Sequence, residues 1–264
     1  MTTIDNESPP GAWQREIDHA PFAFKPIQFP TGPDPNARGG VRRYLDTVKP
    51  EEYKPNTGEV NLSDMTLTGL ADLYGSDKGT IKHNYTVYYE KIINDILAGR
   101  DRKTTHLTIG EAGVACGASL RMWGNYLPAS QIIGYDIRKE CEELCKDMKN
   151  VKIITKDLCK EEPSRAELFD LFIDDASHIS EDMAKMFEKC WDRVSYGGYY
   201  VIEDLGCTYS EAYTTQFRKH FNPEAQNKRE SILRLMNWLM QTVDRHGMIK
   251  EIHYYPQLLV VKKV

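Results

Sequence analysis

The chain has 264 residues, with 34 lysines and arginines, 39 aspartates and glutamates, and a formal net charge of −5. That length suits one large domain with an appendage, and the mild negative charge excludes a general attraction to nucleic acid or to an anionic membrane surface. Six cysteines are too few for a disulfide scaffold in a chain this long. No secretory leader pattern and no run of about 18 apolar residues occurs, so we expect a soluble, cytoplasmic protein.

Residues 1–61 form a proline-rich segment. Nine of the thirteen prolines lie between Pro9 and Pro55, and no helical or strand periodicity persists there. We therefore predict an irregular arm, whose aromatic residues indicate docking on the rest of the chain or on a neighbouring subunit. A partly disordered tail is the alternative. Residues 62–264 are predicted to form the folded domain.

Helix and strand patterns alternate after residue 62. Helices are predicted near residues 63–73 and 85–97, and the predicted strands are 105–112, 131–136, 151–155, 168–174 and 198–203. The helices predicted between and after these strands are 119–126, 139–148, 164–167, 180–194 and 228–245. Two closing runs, 248–255 and 257–264, indicate an antiparallel hairpin. The alternation predicts an α/β fold with a doubly wound, mostly parallel sheet.

Acidic residues follow two of the predicted strands at the point where each strand ends. Asp174 and Asp175 end the fourth strand, with His178 three residues beyond, and Glu203 and Asp204 end the fifth. The carboxyl ends of parallel strands form the ligand crevice of open α/β sheets, so these side chains should converge. Their oxygens suit Mg²⁺, and the histidine suits a general base. A single aspartate at a strand end is more often a cap, but acids on neighbouring strands repel unless a cation compensates.

The ends of the first three strands indicate a cofactor with a ribose. Glycines permit a tight turn onto a helix N-terminus after the first strand, Asp136 is placed to accept hydrogen bonds from ribose hydroxyls, and Asp157 is placed to meet an adenine amino group. The turn lacks G-x-G-x-x-G, which favours S-adenosylmethionine over a dinucleotide. The roles of Lys78 and His83 are left undecided, with a solvated turn residue as one interpretation of Lys78. The residues assigned to the cofactor are Tyr85, Glu111, Gly113, Gly117, Ser119, Asp136, Asp157 and Asp174. For Asp174 the alternative role is to brace the strand, and for Tyr85 it is packing in the core.

Five ordered motifs resemble the macrolide sugar O-methyltransferases of the tylosin and mycinamicin pathways. They are Gly-Ser-Asp-Lys-Gly (75–79), His-Asn-Tyr-Thr with Tyr-Glu (83–86 and 89–90), Glu-x-Gly-Val-x-x-Gly-Ala-Ser-Leu-Arg-Met-Trp (111–123), Asp-Asp-Ala-Ser-His (174–178) and Val-Ile-Glu-Asp-Leu (201–205). The resemblance covers about residues 62–264. It implies a class I, Rossmann-like methyltransferase fold, with a mostly parallel seven-stranded sheet flanked by helices and a C-terminal antiparallel hairpin.

The resemblance also implies S-adenosylmethionine, a bound Mg²⁺ and methylation of a hydroxyl on a sugar or polyhydroxylated natural product. Carried over by position, Asp175, Glu203 and Asp204 match the family's metal ligands and His178 matches its base. The expected partners are a glycoside or polyol acceptor and further copies of the chain. The mycinamicin-type enzymes carry a large auxiliary N-terminal domain, where this chain has only the proline-rich arm.

Two alternative functions stay open at this point. A catechol or phenol O-methyltransferase would use the same metal chemistry, although catechol enzymes commonly use lysine as the base. The histidine at position 178 therefore favours an aliphatic hydroxyl. An oxidoreductase-associated protein, like the cephalosporin C-7 hydroxylase/methoxylation family, is the second alternative.

Overall fold

The computed structural model describes residues 61–264, so all but the last residue of the predicted arm lies outside the described residues. The seven strands, numbered in chain order, are β1 Thr108–Ala112, β2 Gln131–Asp136, β3 Val151–Thr155, β4 Phe169–Asp174, β5 Val194–Ile202, β6 Ile249–Tyr255 and β7 Leu258–Lys263. They form one sheet in the order β3–β2–β1–β4–β5–β7–β6. The first five strands are parallel, and β7 runs antiparallel between β5 and β6. The predicted mostly parallel sheet with a closing hairpin is confirmed.

Helices cover both faces of this sheet. They are α1 Leu67–Tyr74, α2 Thr86–Leu97, α3 Ala118–Tyr126, α4 Ser180–Cys190, α5 Glu211–His220 and α6 Arg229–Asp244. Side chains alternate between the faces of a strand, and β4 follows this rule. Leu171 and Ile173 pack with α1, α2 and α3, whereas Phe172 packs with α4 and α6. No helix within residues 61–264 is long and apolar enough to cross a membrane.

The turn after α1 brings a segment of chain to the carboxyl edge of the sheet. Thr66 caps α1, because its side chain accepts a hydrogen bond from the Gly69 amide. Gly75 ends the helix with φ of 68°, a left-handed conformation that favours glycine. The chain then folds back on itself until α2 begins at Thr86. This stretch, residues 75–86, is called the loop segment below.

Two predicted helices are not formed. The predicted helix 139–148 is reduced to a short 3₁₀ helix, Lys139–Glu143, because its side chains bind neighbouring elements. The Glu142 carboxylate accepts hydrogen bonds from Thr155, and the Cys145 thiol lies 3.8 Å from the Gly117 carbonyl. The predicted helix 164–167 is one hydrogen-bonded turn, since four residues are too few to offset helix nucleation.

Candidate active site

The central strands place acidic side chains along one edge of the sheet. β1, β4 and β5 are neighbours, and Asp174 pairs with Ala112 on one side and with Ile202 on the other. The ladder continues one residue further, because the Asp175 amide donates to the Ala112 carbonyl. Asp175 and Glu203 therefore stand side by side on the face that also carries Glu111.

Lys78 of the loop segment inserts its ammonium among these three acids. Its Nζ donates to Asp175 Oδ2 and, at 2.8 Å, to Glu203 Oε2, and it lies 3.8 Å from Glu111 Oε1. The side chain is completely buried. Burial alone would lower the pKa of Lys78, but the three carboxylates raise it well above its usual value. A charged ammonium thus neutralises part of the buried acidic cluster.

Glu203 has both carboxylate oxygens engaged by buried donors. Lys78 binds Oε2, and the Tyr89 hydroxyl of α2 donates to Oε1. Burial, reinforced by the charge of Asp175, raises the pKa of Glu203 well above its usual value. Its assignment as a metal ligand stays a prediction, and in this arrangement its oxygens are turned to Lys78 and Tyr89.

Asp204 and His178 face each other across the end of the sheet. His178 Nε2 lies 3.8 Å from Asp204 Oδ2 and 3.7 Å from Asp175 Oδ1. Both residues have left-handed backbones, with φ of 52° at His178 and 54° at Asp204. Such conformations are costly outside glycine and concentrate at functional sites.

Two further groups from the loop segment contact Asp204. The Tyr85 hydroxyl donates to Oδ1 at 2.7 Å, and His83 Nε2 lies 3.5 Å from the same oxygen. Burial alone would raise the pKa of Asp204, but His178, His83 and Tyr85 outweigh it and hold that pKa below its usual value. The carboxylate is therefore ionised at neutral pH. Tyr85 is predicted to contact the cofactor, but in the structure its hydroxyl bonds to Asp204 and not to the glycine turn.

The residues present fit a divalent cation. Asp175, His178 and Asp204 each offer a ligand atom, and these atoms all lie within 4.8 Å of one another. Two carboxylates with a histidine suit cations such as Mg²⁺ or a transition metal. Within residues 61–264, two buried histidine nitrogens of this site, His83 Nε2 and His178 Nδ1, have no hydrogen-bond partner. The donor set is thus incomplete without a further group.

The glycine turn after β1 packs directly against the acidic turn after β4. Gly113 has φ of 93°, and a Cβ on it would lie 2.0 Å from the Asp175 carbonyl oxygen. Gly117 has φ of 80° and precedes α3. Both glycines therefore allow the turn predicted for the cofactor, and the contact at Gly113 joins that turn to the candidate cation site.

Glu111 and Ser119, both assigned to the cofactor, contact each other. Glu111 is fully buried and accepts hydrogen bonds from the Ser119 hydroxyl and, at 3.0 Å, from the Trp123 indole nitrogen. Burial raises the pKa of Glu111, although Lys78 opposes that rise. This carboxylate therefore braces the base of the turn, and its contact with a cofactor stays a prediction.

Asp136 lies at the end of β2, beside the glycine turn. Its carboxylate accepts hydrogen bonds from the Val114 amide at 3.1 Å and from two Arg138 side-chain nitrogens at 3.0 Å each. Burial opposes ionisation, but Arg138 holds the pKa of Asp136 below its usual value. The carboxylate is therefore charged, and its contact with ribose hydroxyls stays a prediction. Asp157 is less engaged: it accepts from the Cys159 amide and pairs with Lys160 on the surface.

Asp174 points away from the other acids. As its neighbour Asp175 faces α2, Asp174 faces the opposite side of the sheet, where Cys190 and Tyr200 contribute to its surroundings. Burial raises its pKa to about 8, and its Oδ2 has no hydrogen-bond partner in the described part of the chain. This placement favours the alternative role of bracing the strand over a cofactor contact.

Sequence reasoning missed the parts that Lys78, His83 and Tyr89 play. A lysine between glycines in a turn is typical of a solvated side chain. In the structure, Lys78 is buried instead, and its partner Asp175 lies 97 residues away in sequence. Nothing in the local pattern indicates such a contact. The signal available was the presence of all three residues in the motifs shared with the sugar O-methyltransferases.

Comparison with known proteins places the chain among methyltransferases. No family model matches it. It is 30% identical over 220 residues to the 8-demethyl-8-alpha-L-rhamnosyl tetracenomycin-C 2'-O-methyltransferase of Streptomyces olivaceus, an alignment covering 75% of this chain and 54% of that protein. It is 32% identical over 154 residues to the mycinamicin VI 2''-O-methyltransferase of Micromonospora griseorubida, covering 54% of this chain and 37% of that protein.

A solved structure agrees with these relatives. The MycE methyltransferase from the mycinamycin biosynthetic pathway, in complex with Mg, SAH and mycinamycin VI, superposes with a TM-score of 0.59 at 25% identity. The match covers 75% of this chain and 54% of MycE. The chain thus spans about half the length, or less, of the relatives it matches. On these similarities, the chain belongs to the macrolide-type sugar O-methyltransferase family of class I, S-adenosylmethionine-dependent methyltransferases.

Proposed function

We propose that the chain transfers a methyl group from S-adenosylmethionine to a hydroxyl of a sugar on a natural product, with Mg²⁺ required. The observation that carries this proposal is the convergence of Asp175, Asp204 and His178 beside the glycine turn at Gly113. The relatives' names describe transfer to sugar hydroxyls of tetracenomycin and macrolide compounds, which supports a glycoside as the acceptor. The predicted cytoplasmic location and homo-oligomer stay predictions.

The arrangement suits an acceptor that is a poor nucleophile. A sugar hydroxyl keeps its proton at neutral pH, so a base must remove the proton as the methyl group is attacked. We assign that role to His178, because its Nε2 lies 3.7 Å from Asp175 Oδ1 and 3.8 Å from Asp204 Oδ2, the acids that would hold the cation beside the acceptor. Asp175 and Asp204, with Glu203 as the predicted third acid, would hold Mg²⁺. When bound, the cation supplies positive charge that stabilises the negative charge developing on the acceptor oxygen.

The cofactor half of the site has a separate task. The turn at Gly113 and Gly117, with Asp136, would hold S-adenosylmethionine by its ribose and orient the sulfonium toward the acceptor. Methyl transfer needs an in-line approach, so the rate depends mainly on how well both substrates are oriented. The contact between Gly113 and the Asp175 backbone supports such an arrangement, since it fixes the distance between the two halves.

A methyl-transfer assay tests the proposal. Labelled S-adenosylmethionine is offered with a rhamnosyl tetracenomycin, with mycinamicin VI and with a catechol, each in Mg²⁺ and in excess chelator. We expect transfer to a glycoside, abolished by the chelator and restored by added Mg²⁺. Transfer to the catechol alone, or full activity in chelator, would contradict the proposal.

The role of the histidine is tested by a matched pair of variants. His178→Asn should lower turnover about 10²- to 10⁴-fold, the usual contribution of a general base. His253→Asn is the control, because His253 lies on β6 beside Glu251 and outside the site. Equal turnover in the two variants would remove His178 from the reaction.

A further inference from the structure

Two buried donors of the loop segment each bind one oxygen of a different site acid. Lys78 Nζ donates to Asp175 Oδ2, and the Tyr85 hydroxyl donates to Asp204 Oδ1 at 2.7 Å. Both contacts are long-range, since the acids lie 97 and 119 residues away in sequence. Both bonds are made to carboxylates that are predicted to hold the cation.

The second oxygen of each of these two carboxylates faces His178. Asp175 Oδ1 lies 3.7 Å and Asp204 Oδ2 lies 3.8 Å from His178 Nε2. A carboxylate rotates freely about its terminal bond unless something fixes it, because that torsion is broad. With one oxygen bound to a buried donor, each carboxylate can turn only its other oxygen toward His178.

The loop segment is rigid enough to fix the orientation of the two carboxylates. Its backbone closes on itself through three hydrogen bonds: the His83 amide to the Asp77 carbonyl at 2.9 Å, the Asn84 amide to Gly79 at 2.8 Å and the Thr86 amide to Lys78 at 3.1 Å. Lys78 and Tyr85 are both almost completely buried. A donor on such a rigid, buried support has little freedom to follow a moving carboxylate.

His83 packs beside the same oxygen of Asp204 that Tyr85 binds. Its ring stacks on Tyr85 with 4.9 Å between centroids, and its side chain is only 8% exposed. Its Nε2 lies 3.5 Å from Asp204 Oδ1 but has no hydrogen-bond partner among residues 61–264. His83 therefore adds a second group of the loop segment on the Oδ1 side of Asp204, which leaves Oδ2 on the side of His178.

We propose that Lys78 and Tyr85 are positioning residues of the cation site, each fixing one carboxylate so that its free oxygen points at the cation. The proposal rests on the proposed function, because it assumes that Asp175 and Asp204 hold the metal. Partners behind metal ligands of this kind typically change metal affinity 10- to 100-fold when they are removed.

The test measures cation affinity directly by calorimetric titration of the full chain with Mg²⁺, without acceptor or cofactor. Tyr85→Phe removes only the hydroxyl. We expect it to weaken Mg²⁺ binding about 10- to 100-fold with the melting temperature nearly unchanged. Tyr199→Phe is the matched control, because Tyr199 is also buried and its hydroxyl donates to Asp95 at 2.8 Å, outside the site. It should leave the affinity unchanged.

Lys78→Met is a second variant, which removes the donor to Asp175. It leaves buried Glu203 and partly buried Asp175 without their counter-charge, so Tyr85→Phe carries the test if Lys78→Met does not fold. Unchanged affinity in folded Tyr85→Phe, or an equal loss in Tyr199→Phe, would overturn the positioning role alone. A wild-type chain that binds no Mg²⁺ would overturn the proposed Mg²⁺ dependence, and the positioning role with it.

Discussion

Replacing Gly113 with alanine should disturb the site by more than backbone strain. Gly113 has φ of 93°, and an L-residue forced into a left-handed backbone loses about 1–2 kcal/mol. The added Cβ would also lie 2.0 Å from the Asp175 carbonyl oxygen and 2.9 Å from the Ala176 Cα. These are backbone atoms, so no side chain can rotate away. The turn that carries Asp175 must move instead.

Gly99 provides the matched control. Its φ is 85°, close to that of Gly113, but within residues 61–264 no atom beyond its two chain neighbours lies within 4 Å of the Cβ that alanine would add. Gly99→Ala should therefore cost about 1–2 kcal/mol from strain alone. Gly113→Ala should cost about 1–3 kcal/mol more, the usual range for overpacking.

Urea unfolding of both variants measures this difference, and calorimetric titration with Mg²⁺ measures its effect on the site. We expect Gly113→Ala to have the lower unfolding midpoint and the weaker cation affinity, because Asp175 is displaced with its turn. Equal free energies of unfolding in the two variants would refute the contact between the glycine turn and the acidic turn.

Three further changes test other parts of the fold. Asp136→Asn should cost about 1–3 kcal/mol at pH 7, because Arg138 donates two hydrogen bonds to the carboxylate. Since Arg138 holds the folded pKa of Asp136 below its unfolded value, against the effect of burial, this stabilisation is present above about pH 4 and is lost as the pH falls through the folded pKa. The gap between wild type and variant in urea unfolding should therefore narrow as the pH is lowered below about 4, and a constant gap would contradict the Arg138 contact. Trp123→Phe removes a donor from buried Glu111 and should lower the free energy of unfolding by about 1–3 kcal/mol in thermal denaturation, whereas no loss would mean that the indole bond is not formed. Leu235→Ala, in the buried face of α6, should cost about 2–5 kcal/mol in urea unfolding; less than about 1 kcal/mol would show a loosely packed helix.

Local patterns were sufficient for the sheet. The parallel strands are largely apolar, β2 and β4 end in an acid, and β5 ends directly before one, so both the strands and their polar ends could be predicted. The alternation of side chains along β4 then decides that Asp174 and Asp175 face opposite sides of the sheet. Helix 139–148 could not be predicted correctly, because its outcome depends on contacts with Thr155 and Gly117 rather than on its own propensity.

The sequence by itself determined the fold class, the family and the positions of the acids and His178 at the ends of strands. Only the tertiary structure decided how these groups are used. Lys78 enters the acidic cluster, and Tyr85 binds Asp204. These contacts join residues about a hundred positions apart, and no periodicity in the chain encodes them. Their physical cause is the folding of the loop segment over the carboxyl edge of the sheet, where buried donors stabilise the charge of Asp204 and Glu203.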